Sequence, residues 1–250
     1  MSTSTSTYYE KLAAMAKRFA GDTANHQMTV ALDQGLYRHL KFRNPNHSWH
    51  YWFDLITVPG ALIFQGDGDS FVFRRLEDMF EFFRTANDTG RPNLGYWAEK
   101  LTNAGGERSV MVYDQDLLDQ QVREAIADRA ADLPELAGAV QSEVLDELVG
   151  DRTVDLKIVE DFRYWGAGKT PEFEFHDVWE WGVTDYSWWF SWACHAIAWG
   201  IAQYDSRGCT DTPPSTPGRS DAPVAAPVEA PPIPVPAPMY VTATVVGDVL

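Results

Sequence analysis

Residues Trp49 to Arg84 read WHYWFDLITVPGALIFQGDGDSFVFRRLEDMFEFFR, and the hydrophobic period changes inside them. Up to Phe73 the apolar runs are short and are interrupted by Pro59-Gly60 and by Gly66-Asp67-Gly68-Asp69. Such punctuation separates strands, because proline presets φ and glycine accepts a positive one. From Leu76 onward the apolar residues Leu76, Met79, Phe80 and Phe83 recur at i, i+3, i+4 and i+7, which is one face of a helix. A chain that changes from the one period to the other predicts an α+β domain.

Working outward, strands are expected over 28–32, 36–42, 49–57, 61–65 and 70–73, with turns at Asp33-Gln34-Gly35 and Asn44-Pro45-Asn46. Connections this short join antiparallel neighbours, since parallel pairs need long crossovers. The expected sheet is therefore a five-stranded antiparallel meander packed against a helical layer. Helices are expected over 8–19, 76–84, 94–101, 117–130, 134–149 and 185–203, while 154–162 fits either a helix or a strand. The domain plan is a flexible lead over 1–7, a single α+β domain over 8–205 and a proline-rich tail over 206–250. That tail is expected to be disordered, with strand-forming residues at 241–249 that suit an edge pairing.

The 250 residues are 45% hydrophobic and include ten Trp, so a packed interior is affordable and a wholly disordered chain is excluded. The formal charge is −16, with no basic run, which argues against direct nucleic-acid binding. Cys194 and Cys209 are too few for a disulfide framework, and the N-terminus lacks a signal-type apolar core. Both point to a reducing cytoplasm. The run from Trp188 to Ala202 is shorter than the roughly 20 residues that a bilayer requires, so no membrane span is expected. It reads as a core helix, with Trp188, Trp192, His195 and Trp199 on one face and Ala193, Ala196 and Gly200 on another.

Several constellations invite chemistry, and most have simpler readings. Cys194 and His195 are adjacent on a helix and point about 100° apart, so they do not share a metal. His47 and His50 have no third ligand nearby, and Asp67 and Asp69 lack the glycine and glutamate of a calcium loop. No metal and no cofactor are expected. Carboxylate pairs such as Glu77-Asp78 and Glu172/Glu174 carry little weight in so acidic a chain.

Two groupings remain as candidate sites. Arg38, Arg74, Arg75, Tyr96 and Trp97 are a candidate anion- or nucleotide-binding corner, against which stands structural pairing of these arginines with Asp54 or Glu77. Residues 114–161 hold 14 acidic and four basic residues, whereas 36–91 balances seven against seven. Asp114, Asp116, Asp119, Glu124, Asp128, Glu143, Asp146 and Glu147 are thus candidates for a protein-interaction surface. A solvated helical layer is the plainer alternative.

The segments LYRHLKFRNP (36–45), YWFDLITVPGALIFQGDGDSFVFRRLEDMFEFFR (51–84), LGYWAEKL (94–101) and WACHAIAWGIAQYD (192–205) occur in this order. On them the chain resembles a family of tailed-bacteriophage and prophage proteins, covering about a third of its length. Relatives in that family often carry Trp before the Pro-Gly and His after it; here Val58 and Ala61 stand there. The resemblance implies an infected host cytoplasm as the setting and carries over no functional residue. The function expected is a non-enzymatic accessory protein that binds a host protein or a small signalling ligand, such as a host-defence antagonist. An enzyme acting on a nucleotide or phosphate ester, and a virion or assembly component, are the alternatives.

Overall fold

The computed structural model describes residues 3–46, 49–85, 91–129, 132–166 and 168–207. Its sheet is the expected meander: β1 (Gln27–Gln34), β2 (Tyr37–Arg43), β3 (Phe53–Val58), β4 (Ala61–Gly66) and β5 (Ser70–Phe73) lie side by side in chain order, all antiparallel. Turn chemistry sets the register. Gln34 pairs with Tyr37 around Gly35, whose φ of 64° suits the first loop position of a tight hairpin. Val58 pairs with Ala61 around Pro59-Gly60, and Gly60 at φ 80° occupies the left-handed position of a type II turn. With register fixed, alternation puts Leu40, Phe42, Phe53, Leu55, Leu62, Phe64, Phe71 and Phe73 on one buried face.

Helices α1 (Thr3–Asp22), α2 (Met79–Thr85), α3 (Leu94–Ala98) and α7 (Trp188–Arg207) share the hydrophobic core of that face. The two faces of α7 have different duties. Phe19 of α1 sits among Trp192, His195 and Trp199, with ring centroids 5.1, 6.1 and 5.9 Å away. On the small-residue side, a Cβ at Gly200 would stand 2.8 Å from Leu55 Cδ1 and 3.0 Å from Phe42 Cζ. The helix thus approaches the sheet closely where it has no side chain. None of the helices among the described residues is long and apolar enough to cross a membrane.

A second core lies in residues the sheet does not use. Strands β6 (Met111–Tyr113) and β9 (Thr184–Tyr186) pair with each other, so residues 114–183 form a lobe that leaves and rejoins the chain at one place. Inside it, α4 (Gln115–Ala127), α5 (Leu136–Glu143), α6 (Arg152–Asp161) and the short pair β7 (Arg163–Tyr164) and β8 (Phe173–Glu174) enclose Leu118, Val122, Leu136, Val140, Leu156 and Val159. The lobe holds 18 acidic and six basic residues, leaving 18 and 14 for the rest of the chain. The acidity is a property of this lobe.

Several boundaries differ from the sequence reading, each for a local reason. The strand expected over 49–57 begins at Phe53, because Tyr51 turns to φ 59° and donates its N–H to Asp67. The helix expected from Leu76 begins at Met79, where the Asp78 carboxylate takes the N–H of Phe80. The α1 helix reaches back to Thr3, into the lead expected to be mobile. Residues 134–149 divide into α5 and a 3₁₀ turn, Leu145–Glu147, because Val144 leaves helical geometry at φ −121°. Residues 154–162 are helical, started by Asp151, whose carboxylate accepts from Thr153 and Val154. Strands β6 to β9 are too short to announce themselves by alternation. The tail from 208, with Cys209 and 241–249, lies outside the described residues.

Candidate functional site

The residues expected to form an arginine corner are not gathered. Arg38, Thr57, Leu62 and Phe73 are register neighbours across four strands, so Arg38 stands roughly 14 Å from the end of β5 that leads to Arg74. The Arg38 guanidinium is committed to Asp78 through bonds of 2.9 and 3.1 Å and lies 4.7 Å from the Phe80 ring centroid. Burial raises the Asp78 carboxyl, but the bonds from Arg38 and the Phe80 N–H outweigh it and hold the group below its ordinary range. Trp97 is fully buried against Phe83, with ring centroids 4.6 Å apart. Arg74 and Arg75 are exposed, and Tyr96 lies half-exposed under the Lys100 ammonium. Asp54 does pair with an arginine, but with Arg43 on the outer sheet face at 2.6 Å, where it also meets His39 Nε2 at 2.7 Å.

The acidic candidates have several occupations. Asp114 caps α4, its Oδ1 accepting from the N–H groups of Asp116 and Leu117. Asp119 pairs with Arg123, which reaches Gln141 at 3.0 Å, and Gln141 donates to Asp146 at 2.6 Å. That chain ties α4 to α5. Glu124 accepts from Gln120, and Asp116, Asp128, Glu143 and Glu147 are exposed on the lobe surface. Among the described residues no cluster of three His, Cys, Asp or Glu is arranged to hold a metal ion, and His47 lies outside them. His195 is held well below its ordinary value, at about 4, by burial, and its Nε2 has no hydrogen-bond partner. It behaves as a neutral core residue.

The structure instead builds a cleft at the seam of the two cores. A cavity of about 540 Å³ opens between α1, the β6–β9 ribbon and the start of α7. Leu12, Met15, Leu94, Val112 and Trp188 make its apolar walls. This size and lining suit a small ligand or an inserted side-chain cluster. Lys11 crosses one end, its ammonium 2.6 Å from Asp114 and 2.8 Å from Asp185. The Asp114 carboxyl is raised by burial and lowered further by Lys11 and the cap N–H groups, so it stays below its ordinary range. At the other end Arg18 lies 5.0 Å over the Trp188 ring. Lys11 and Arg18 are seven residues apart on α1, about 10 Å along its axis.

The ribbon wall is braced from behind. The Tyr113 hydroxyl donates to Asp155 Oδ2 at 2.8 Å, and Asp155, fully buried, also accepts from the N–H groups of Val149 at 2.8 Å and Gly150 at 3.0 Å. Burial and the Asp155 bond push the Tyr113 phenol well above its ordinary value, so it remains a donor. Sequence reasoning passed over Lys11, Arg18 and Asp185 because charges on a helix and beside a short strand carry no motif. The available signal was Asp114 preceding a helical run, which marks a cap. Comparison with protein-family models, with curated proteins and with solved structures gave no match to this chain.

Proposed function

We propose that this chain is a non-enzymatic accessory protein of a bacteriophage that acts in the infected host cytoplasm by binding a host protein, with host-defence antagonism as its role. The cleft between α1 and the β6–β9 ribbon carries the reading: it is large, apolar-walled and open, and its end charges are set by their own neighbours. Such a seat retains a partner's apolar group through burial, at about 25 cal/mol per Å² removed from water. The adjoining surface of α4, where Asp116 and Glu124 stand beside the Asp119–Arg123 pair, extends the contact beyond the cavity. The phage setting rests on the sequence resemblance.

The test is co-purification of the tagged full-length protein from infected host lysate, beside an Ala14→Trp variant. Ala14 is exposed and lines the cleft, so the indole fills the cavity without entering either core. One host protein retained in stoichiometric amount by the unaltered chain and lost by the variant is the expected result. The same partner held equally by both refutes the cleft as its seat.

A further inference from the structure

We infer that the occupant of the cleft is a partner polypeptide segment that pairs apolar side chains with lysine or arginine. The inference rests on the binding role proposed for that cleft and adds the chemistry of what enters it. It follows from how the charges are spent. Asp114 and Asp185 share the single ammonium of Lys11, which leaves one negative charge over at that end. Every oxygen of the two is engaged, Asp114 Oδ1 by the α4 cap and Asp185 Oδ1 by the Tyr186 N–H at 2.8 Å. The excess charge therefore acts as a field, with no oxygen left waiting for a specific donor. Asp116, on the same rim and exposed, adds a second negative charge. Arg18 does not offset this excess: it sits at the far end on Trp188 and Tyr51, faces Asp22 at 3.7 Å, and is about 10 Å away along the helix, beyond a Debye length at physiological salt.

The apolar walls lie between these ends. Leu12 and Met15 come from α1 and Val112, 46% exposed, from β6. A segment that buries a leucine or methionine there places its neighbouring residues at the Asp114/Asp116/Asp185 rim. A cation at that position gains from the field, and an anion is repelled. Beyond the cavity α4 carries Asp116, Asp119 and Glu124 against Arg123, which pairs with Asp119, so that surface keeps a net negative charge and favours a basic segment as well.

Two fluorescein-labelled synthetic peptides test this by anisotropy on the full-length protein. They share leucine positions, and carry lysine in one and glutamate in the other at every polar position. The variants are Ala14→Trp, Asp116→Lys and Glu77→Lys, the last an equal charge change at an exposed residue beside Asp78, whose partner Arg38 lies 5.8 Å from the Tyr204 ring, at the end of α7 opposite Trp188 and the cleft. The lysine peptide is expected to bind, to be lost with Ala14→Trp, and to weaken about tenfold with Asp116→Lys but not with Glu77→Lys. Equal binding of both peptides, each lost with Ala14→Trp, overturns the charge preference and leaves the cleft reading standing. Lysine-peptide binding that ignores Ala14→Trp and falls equally with either reversal reflects the net charge of the protein and overturns the inference. Binding of neither peptide overturns it too.

Discussion

Replacing Asp155 by alanine removes the acceptor that holds the wall of the cleft. The carboxylate is fully buried and takes three donors, the Tyr113 hydroxyl and the N–H groups of Val149 and Gly150. Hydrogen bonds to a charged group contribute about 1.5–3 kcal/mol each, so simple addition gives roughly 5–9 kcal/mol. That sum is too large, because Val149 and Gly150 are exposed residues and water can reach their N–H groups once the side chain is gone. The Tyr113 hydroxyl, on a half-buried side chain, is harder to rehydrate. A loss of about 3–5 kcal/mol is therefore expected, at the level seen when a buried polar network is broken. Asp155→Asn keeps an acceptor and most of the volume but turns an NH₂ toward a donor, and is expected to cost about 1–2 kcal/mol. Tyr113→Phe removes one donor and costs about 1 kcal/mol. Urea unfolding followed by tryptophan emission reads these differences, and with a slope of about 2 kcal/mol per molar the alanine midpoint falls by roughly 2 M. An alanine variant within 1 kcal/mol of the unaltered protein, or one equal to the asparagine variant, refutes the keystone role assigned to Asp155.

Two glycines in helices are expected to respond with opposite signs. Gly200→Ala gains about 1 kcal/mol of helix propensity but forces a methyl against Leu55 and Phe42, both fully buried, and is expected to lose about 1 kcal/mol net; Gly138→Ala in α5 meets nothing within 4 Å and is expected to gain about 0.5–1 kcal/mol, both read by thermal or urea unfolding. His195 is neutral in the fold down to about pH 4 while its unfolded counterpart takes a proton near 6.5, so the unfolded state binds more protons between these values and stability falls as pH falls through that window. His195→Phe is expected to flatten that part of the stability-against-pH curve, and a curve of unchanged slope contradicts the assignment. Lys11→Met leaves Asp114 and Asp185 facing each other without a cation; the Asp114 carboxyl, now held below its ordinary range, is expected to rise, measurable by carboxyl NMR titration.

The five-stranded sheet was legible because its signals are local. Pro59-Gly60 and Gly35 dictate their own turns, and alternation between Leu40 and Phe73 states which face is buried. The helical character of α7 and its division into an aromatic and a small-residue face were legible for the same reason. The inserted lobe was visible only as a charge excess. Its closure depends on Met111–Tyr113 pairing with Thr184–Tyr186, three residues on each side, too few to show a period. The cleft was illegible because it is made of residues as far apart as Lys11 and Asp185, each ordinary in its own segment. The residues of the arginine corner are dispersed for the opposite reason: Arg38, Arg74 and Trp97 look alike as binding residues in sequence, and three strand widths and a buried indole separate them.

The cleft as a binding seat is tested most directly at Met15, one of six methionines and a wall of the cavity. Methyl-¹³C methionine spectra of the full-length protein, recorded while the lysine peptide is added, report where it sits. A saturable shift of the Met15 methyl, with Met28 and the fully buried Met79 unmoved, is the predicted result. A Met15 resonance that stays in place while the peptide saturates the protein contradicts the account.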